Sequence, residues 1–283
     1  MTLKKKYIVA VSGGIDSVVL LDMLAAQGTA ELLVAHFDHG IRYDSANDAR
    51  FVEALAKKYA LPFFGTREEL GPNASEERAR VRRYLFLRQL AKAHQATIVT
   101  AHHADDIIET MAINISRGTG WRGVAVLGAV DIQRPLALLS KSDIYDYALE
   151  HRLEWVEDST NATSRYLRNR YRQRIAQYLT YDSKKKLLDL WQAQTQLRQT
   201  MEDEVERIVT ESGGSSRYFF TCIDSHVAEE LLRRVIYVKT GENLLLPQVA
   251  RGLLAIKTAL PGTTVQLGAG VTLSFSRDSF VAL

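Results

Sequence analysis

The stretch Val9-Ala10-Val11-Ser12-Gly13-Gly14-Ile15-Asp16-Ser17 decides the fold. The apolar run Tyr7–Val11 predicts a short buried strand, and the apolar residues after Ser17 predict a buried helix. Between them, two glycines let an anion approach the backbone closely. The start of the helix adds unpaired N–H groups and the positive end of the helix dipole. The stretch therefore predicts a phosphate-binding turn between a strand and a helix.

Two further features of this turn limit its type. No lysine follows the glycines, so the turn differs from a Walker A loop, and its glycine spacing differs from that of dinucleotide-binding turns. Asp16 would repel a phosphate unless a metal ion bridges them or its carboxylate caps the helix. A glycine-rich turn with a capped helix is therefore the purely structural alternative. The candidate anion-binding residues are Ala10, Ser12, Gly13, Gly14, Ile15, Asp16 and Ser17, with the hydroxyls of the two serines as donors.

The composition sets broad bounds. The 283 residues are 46% hydrophobic and carry a net charge of +3, which suits one large domain or two ordinary ones with real cores. The single cysteine, Cys222, excludes an internal disulfide and any cysteine-based metal or iron–sulfur site. We see no run long and apolar enough to span a membrane and no signal peptide. We therefore expect a cytoplasmic protein without a membrane partner.

The first half of the chain alternates strand and helix patterns. This alternation predicts an α/β domain, residues 1–182, with a Rossmann-like parallel sheet covered by helices on both faces. The predicted strands span residues 7–11, 32–37, 61–64 and 97–101, with 153–156 as the last element of the sheet domain. Residues 183–283 predict a smaller, mainly helical domain that ends in a β-hairpin. Its predicted helices span 184–211, 225–238 (with Ser225 as N-cap) and 246–257, followed by short strands from 263 to 283.

Polar residues cluster directly after three of the predicted strands. Ser12–Ser17 follow the first strand, His36–Arg42 overlap the end of the second, and His102–Glu109 follow the third. The carboxyl ends of parallel strands share one edge of the sheet, where ligands bind. We therefore expect the three clusters to converge on one active-site crevice.

The acids in these clusters suggest specific chemistry. Asp105, Asp106 and Glu109 lie within one helical turn of each other, and such carboxylates bind Mg²⁺ together with substrate phosphates, or a cationic amine. Stabilisation of the helix dipole is the simpler alternative. Asp38 is a candidate base or acceptor, with turn capping as its alternative. A zinc site built from the neighbouring histidines is a weaker alternative.

Two arginine clusters indicate a phosphate-rich partner. Neither run contains an acid among its arginines, and a solvated helix face is the alternative for each. The clusters are Arg78, Arg80, Arg82 and Arg83, and Arg165, Arg168, Arg170, Arg172 and Arg174.

The S-G-G-x-D-S pattern resembles the PP-loop of the N-type ATP pyrophosphatases. Over roughly residues 7–180, the motifs and their order are similar to those of the tRNA(Ile)-lysidine synthetase family. The matching motifs are Ser12–Ser17, His36–Arg42, Ala79–Tyr84, Ala101–Thr110, Arg117–Gly120, Asp158–Asn161 and Arg168–Arg174.

The resemblance implies a reaction in two steps. ATP adenylates the C2 oxygen of the wobble cytidine in a tRNA(Ile) with a CAU anticodon, and pyrophosphate is released. Free lysine then displaces AMP and forms lysidine. The resemblance implies catalytic roles for Asp38, Arg80, Asp105, Asp106 and Glu109. It implies ATP contacts from Ala10, residues 12–17, His36, Arg83 and Gly118, and Mg²⁺ binding by Asp16 and Asp106.

The resemblance also implies partners and leaves alternatives. Many members of that family carry a further C-terminal domain, and this sequence resembles the shorter members, so we expect the second domain to provide the tRNA surface. That domain is compatible with a homodimer. Sulfur-transferring relatives need cysteines that this sequence lacks, and amidotransferases need an ammonia-generating domain. An NAD synthetase-like ligase or a non-catalytic tRNA-binding protein stays open. ATP consumption discriminates between them, because a binding protein shows none and a small-molecule ligase needs no tRNA.

Overall fold

The computed structural model describes residues 5–40, 45–71, 74–129, 131–157, 167–212 and 214–283. The chain divides into two compact units, Met1–Thr195 and Gln196–Leu283. The predicted domain boundary at residue 182 falls at the start of a long helix, whereas the units divide within that helix. None of the helices in the described ranges has the length and apolarity that a membrane crossing requires.

A parallel sheet forms the centre of the first unit, as predicted. Its strands are β1 (Lys5–Ala10), β2 (Ala30–Asp38), β3 (Phe63–Arg67), β4 (Thr97–Val99) and β5 (Ile132–Gln133), in the order β3-β2-β1-β4-β5. Its helices are α1 (Ile15–Gln27), α2 (Ser45–Lys58), α3 (Glu76–His94), α4 (Ala104–Ser116), α5 (Lys141–Glu150) and α6 (Leu167–Tyr178). The strand order reverses direction beside β1, which is where open sheets of this kind bind ligands.

The strands bury both faces of the sheet against helices. Along β1, Val9 points into a core formed with α1, α2 and α5, whereas Ile8 points into a core formed with α3. The same alternation in β2 sends Val34 to the first core and Ala35 to the second. Successive strand residues face opposite sides, so α3 lies on the opposite face of the sheet from α1. This division matters for the site, because α1 and α3 both carry candidate residues.

The prediction of a sheet element at residues 153–156 is wrong. This segment contains no strand, although the Val156 N–H donates to the carbonyl of Gly13 at 3.0 Å. The fifth strand is instead β5, which has only two residues and pairs with β4. A two-residue strand is too short to show the alternation of apolar and polar residues from which strands are predicted.

The second unit is mainly helical and ends in antiparallel strands, as predicted. Its elements are the end of α7 (Tyr181–Ser212), α8 (Arg217–Cys222), α9 (Ser225–Thr240), α10 (Leu246–Thr258), β6 (Thr264–Gly268), β7 (Val271–Phe275) and β8 (Phe280–Ala282). The strands pair in the order β6-β7-β8 around a core that includes Phe220, Leu232 and Phe280. The N-cap of α9 is Asp224 rather than Ser225, because its carboxylate accepts the N–H groups of the first turn.

The side chain of Arg217 holds the second unit together at the start of α8. Its guanidinium donates to the carbonyl oxygens of Ile256 (2.8 Å), Ala259 (2.7 Å) and Ser276 (2.9 Å), which terminate α10 and β7. We expect Arg217→Ala to lower the free energy of unfolding by about 2 kcal/mol, since carbonyls at the helix end lose a charged donor. Urea unfolding followed by circular dichroism measures this.

Arg207 provides the control for Arg217. It pairs with Glu204 and Glu211 on the exposed surface of α7, so Arg207→Ala should leave the unfolding midpoint unchanged. Equal effects of the two variants would show that Arg217 has no special structural role.

Candidate active site

The glycine turn lies between β1 and α1 and is held in shape by its own serines. The Ser17 hydroxyl donates to the carbonyl of Gly14 at 2.8 Å and accepts from the Ser12 N–H at 3.1 Å. Gly13 has φ of +97°, which favours glycine. Ser17 is buried, whereas Ser12 is exposed. Ser17 therefore stabilises the turn from the inside, whereas the side chain of Ser12 lies on its exposed outer side.

Asp16 connects the turn to the rest of the site. Its carboxylate forms an ion pair with Lys141, at the start of α5, and lies 3.9 Å from Nε2 of His103. The same Nε2 lies 3.5 Å from the carboxylate of Asp106, in the first turn of α4. One imidazole therefore lies between an acid of the glycine turn and an acid of the cluster after β4, so two of the three predicted clusters meet here.

Asp105 is held by one lysine ammonium and one backbone N–H. Its carboxylate accepts from Nζ of Lys184 at 2.8 Å and from the backbone N–H of Lys141 at 2.9 Å. Burial acts to raise the pKa of Asp105, but the ammonium and the N–H outweigh it and leave the pKa lowered. Asp105 is therefore ionised and positions α5 and the start of α7 beside α4.

Glu109 lies one turn further along α4 and is 1% exposed. Both of its oxygens accept from Arg172 of α6, at 2.6 and 3.2 Å. This bidentate geometry is the strongest form of ion pair that side chains make. Glu109 therefore fixes the arginine-rich helix α6 against α4.

The end of β2 adds the third cluster. Nδ1 of His36 lies 2.9 Å from the carbonyl of Val11, next to the glycine turn, and both His36 and Asp38 are buried. Asp38 accepts from the Gly40 N–H at 2.9 Å and from Arg67 at 2.8 Å. Burial acts to raise the pKa of Asp38, but Gly40, Ser45 and Arg67 together lower it. Asp38 is therefore ionised and caps the turn at Gly40. Turn capping was the structural alternative to its role as a base or acceptor.

His102 is neutral in this site. Its Nδ1 lies 2.8 Å from the hydroxyl of Thr100. Burial lowers the pKa of His102 to about 3, with the charge of Asp106 opposing this shift and those of Arg83, Arg134 and Arg80 adding to it. His102 therefore acts as a hydrogen-bonding group and not as a cation.

The donors near the glycine turn suit magnesium better than zinc. Asp16 and Asp106 offer carboxylate oxygens on two sides of His103, and Mg²⁺ typically takes one or two carboxylates, waters and substrate phosphates. Within the described residues, no three His, Cys, Asp or Glu side chains form a group that could hold a metal by themselves. The arrangement therefore fits a magnesium ion that arrives with a phosphate substrate.

Several predicted residues lie away from this cluster or outside the described ranges. Gly118 follows the last turn of α4, about 20 Å along the helix axis from Asp105. Arg80 is exposed on α3, with Arg83 half-buried beside it. Ile41, Arg42, Asp158–Asn161 and Arg165 lie outside the described residues, as do the side chains of Arg168 and Arg170.

The sequence analysis missed four basic residues that contact or face the acids and histidines of the site. Lys141 and Lys184 lie 125 and 79 residues from the acids they bind, so no local spacing indicates them. Arg67 is the last residue of β3, directly opposite Asp38 in the parallel register. Arg134 directly follows β5. Because polar residues directly after strands are site candidates, a prediction of β5 would also have indicated Arg134.

Comparisons with known proteins give the family of the chain. A family model described as a PP-loop domain matches residues 2–179. The tRNA(Ile)-lysidine synthase of Exiguobacterium sibiricum is 38% identical over 61% of this chain and 43% of its own length. That of Solibacter usitatus is 34% identical over 83% of this chain and 57% of its own length. The chain thus spans about half the length of these curated relatives.

A solved structure shares the fold over much of the chain. The U34-tRNA thiolase NcsA of Methanococcus maripaludis superposes with a TM-score of 0.58, at 15% identity over 69% of this chain and 74% of its own. At that identity the likeness shows the fold alone. The family match, in contrast, takes in the glycine turn and the acid clusters after β2 and β4, and it covers well over half of the sequence. The chain therefore belongs to the PP-loop family.

Proposed function

We propose that the chain ligates lysine to C2 of the wobble cytidine of tRNA(Ile) with a CAU anticodon, at the expense of ATP. The observation that carries the proposal is the imidazole of His103 between Asp16 of the glycine turn and Asp106 of α4. A PP-loop domain implies ATP binding, and relatives at 38% and 34% identity are named tRNA(Ile)-lysidine synthase. The residues described above support an assignment of roles in the two steps of that reaction.

In the first step, the glycine turn binds the pyrophosphate part of ATP. The N–H groups of Ile15 and Asp16 at the start of α1 and the hydroxyl of the exposed Ser12 would bind this group. The C2 oxygen of cytosine attacks the α-phosphorus, a bond to that phosphorus forms, and the bond to the β-phosphate oxygen breaks. When bound by Asp16 and Asp106, Mg²⁺ would offset the charge of the departing pyrophosphate. Lys141 is placed to assist, since it already reaches Asp16.

In the second step, the amine of lysine attacks C2, and AMP leaves with the C2 oxygen. The amine must first lose a proton. Asp105 is held by Lys184, Glu109 by Arg172 and Asp38 by Arg67. Asp106 lies in the first turn of α4, and its carboxylate is 17% exposed and 3.5 Å from His103, beside the glycine turn. Because an amine and the activated base would meet at this place, we assign the proton transfer to Asp106 and positioning roles to the other acids.

The release of pyrophosphate tests this proposal. ATP, Mg²⁺, lysine and a transcript of tRNA(Ile) with a CAU anticodon should give AMP and pyrophosphate in equal amounts. Omission of the tRNA should abolish both products. Release without tRNA would favour a small-molecule ligase, and no release with every substrate present would favour a binding protein.

The substitution Gly13→Ala should weaken ATP binding about tenfold or more. A φ of +97° is strained for any residue with a Cβ, so the turn must rearrange. Calorimetric titration with a non-hydrolysable ATP analogue measures the change. Gly28→Ala is the matched control, because Gly28 also has positive φ (+61°) but follows α1 with nothing near its Cβ. Equal ATP affinity in the two variants would contradict the assigned role of the turn.

A further inference from the structure

A cluster of arginines lies on the α3 side of the sheet, apart from the glycine turn. This cluster consists of Arg80, Arg83 and Arg134, and it differs from the two runs of arginines in the sequence. Arg134 follows β5 and is half-buried, and its Nη1 donates to the carbonyl of Ile132 at 3.0 Å. Its buried Nε has no hydrogen-bond partner among the described residues, and the same holds for Nε of Arg83. Two buried guanidinium Nε donors therefore lack an acceptor among the described residues.

The ring of Tyr84 organises this cluster. Tyr84 is 7% exposed, and its ring centroid lies 5.3 Å from the guanidinium carbon of Arg83 and 5.6 Å from that of Arg80. Cations over an aromatic face are stabilised by the negative charge of that face. The ring thus allows two like charges to approach each other next to Arg134.

The acid beside the cluster offsets its positive charge only in part. Asp131 binds Arg88 at 2.7 Å. Burial and the charge of Arg80 lower the pKa of Arg134, and Tyr84 and Asp131 oppose this shift without reversing it. His102, which also faces the cluster, is neutral. Buried cations that repel one another favour an anion with several oxygens, such as a phosphate.

The position of the cluster indicates which substrate provides the phosphate. The glycine turn leads into α1, on one face of the sheet, whereas Arg80 and Arg83 lie on α3, on the other. The proposed function brings two phosphate-bearing substrates to the same edge, and the glycine turn accounts for the pyrophosphate of ATP. A second phosphate site on the opposite face therefore suits the phosphodiester backbone of the RNA.

We propose that Arg134, together with Arg80 and Arg83, binds a backbone phosphate of the tRNA next to the target cytidine. This inference rests on the proposed function, since it takes the RNA substrate from it. The contact would position the anticodon loop while the target base leaves its stack, because phosphate contacts fix register and orientation. Arg134 is thus assigned as a tRNA-binding residue and not as a group that touches the reacting atoms.

The test is the affinity for tRNA in the absence of ATP. We expect Arg134→Gln and Arg83→Gln each to weaken binding of the tRNA(Ile) transcript about tenfold, which is typical for loss of a charged hydrogen bond. Each variant should also reduce the slope of log affinity against log salt by about 0.7 to 0.9. The ATP affinity of Arg134→Gln, measured without tRNA, should not change. Lys92→Gln is the matched control, since it removes the same charge from the exposed far end of α3.

Two outcomes would overturn the inference. Weaker ATP binding with unchanged tRNA binding would assign the cluster to ATP. Unchanged binding of both, with intact thermal unfolding, would make it structural. Arg134→Lys keeps the positive charge at this position. It should therefore retain part of the tRNA affinity that Arg134→Gln loses. Failure of the proposed function is distinguishable, because it would leave wild-type tRNA binding without lysidine formation.

Discussion

The Asp106→Asn variant is expected to fold normally and to lose about a thousandfold in the rate of lysine transfer, within the range that proton transfer by a positioned side chain contributes. Asparagine keeps the size of the side chain and the acceptor for the His103 N–H, which Asp106 binds at 3.2 Å. It loses the charge that takes a proton from the lysine amine and that would bind Mg²⁺. Single-turnover kinetics with labelled lysine measure the loss.

The chain provides a matched control on α5. Asp143 binds the N–H of Ser140 at 2.7 Å, three residues earlier, as Asp106 binds that of His103. Asp143→Asn should therefore cause the same small loss of thermal stability, from a weaker helix cap, without a loss of activity. Full activity of Asp106→Asn would remove Asp106 from the chemistry, and inactivity of both variants would point to helix capping as the cause.

The Arg172→Ala variant is expected to lower the free energy of unfolding of the first unit by about 2 kcal/mol, because it leaves Glu109 as a charge with a 2% exposed side chain and without its bidentate partner. The effect should be smaller than for a fully buried pair, because the Arg172 side chain is 47% exposed. Tryptophan fluorescence during urea unfolding measures it, since Trp121, Trp155 and Trp191 all lie in this unit.

A double-mutant cycle isolates the pair. Glu109→Gln in the Arg172→Ala background should recover part of the lost stability, since it removes the uncompensated charge. Arg88→Ala is the control for an exposed pair, because Arg88 and Asp131 are both about half exposed, and its effect should stay below about 1 kcal/mol. Strict additivity of the two substitutions would contradict a direct coupling between α4 and α6.

The sequence predicts the fold of the first unit because its signals are local. The apolar run before Ser12 and the glycines after it place a strand, a turn and a helix without reference to any distant residue. The same holds for the clusters after β2 and β4, which parallel topology brings to one edge. The strand β5 was missed because two residues show no alternation, and with it Arg134 was missed as a residue at a strand end.

The partners of the acids could not be predicted, because they come from distant parts of the chain. Asp105 binds Lys184 of α7, and Glu109 binds Arg172 of α6, across 79 and 63 residues. A carboxylate in the sequence can be expected to pair with a cation when it is buried, but the sequence does not indicate which residue provides that cation. The sequence indicated where the acids gather, and the structure adds that Asp38, Asp105 and Glu109 are held by basic partners.

The measurement that tests the central claim most directly is transfer of lysine to tRNA. The protein is incubated with Mg²⁺, ATP, radiolabelled lysine and a transcript of tRNA(Ile) with a CAU anticodon, and in parallel with tRNA(Met), which shares that anticodon. We predict that label joins the isoleucine tRNA alone, with one AMP released per lysine attached. Formation of AMP without label on either tRNA would contradict the account, since the adenylating site would then serve another nucleophile.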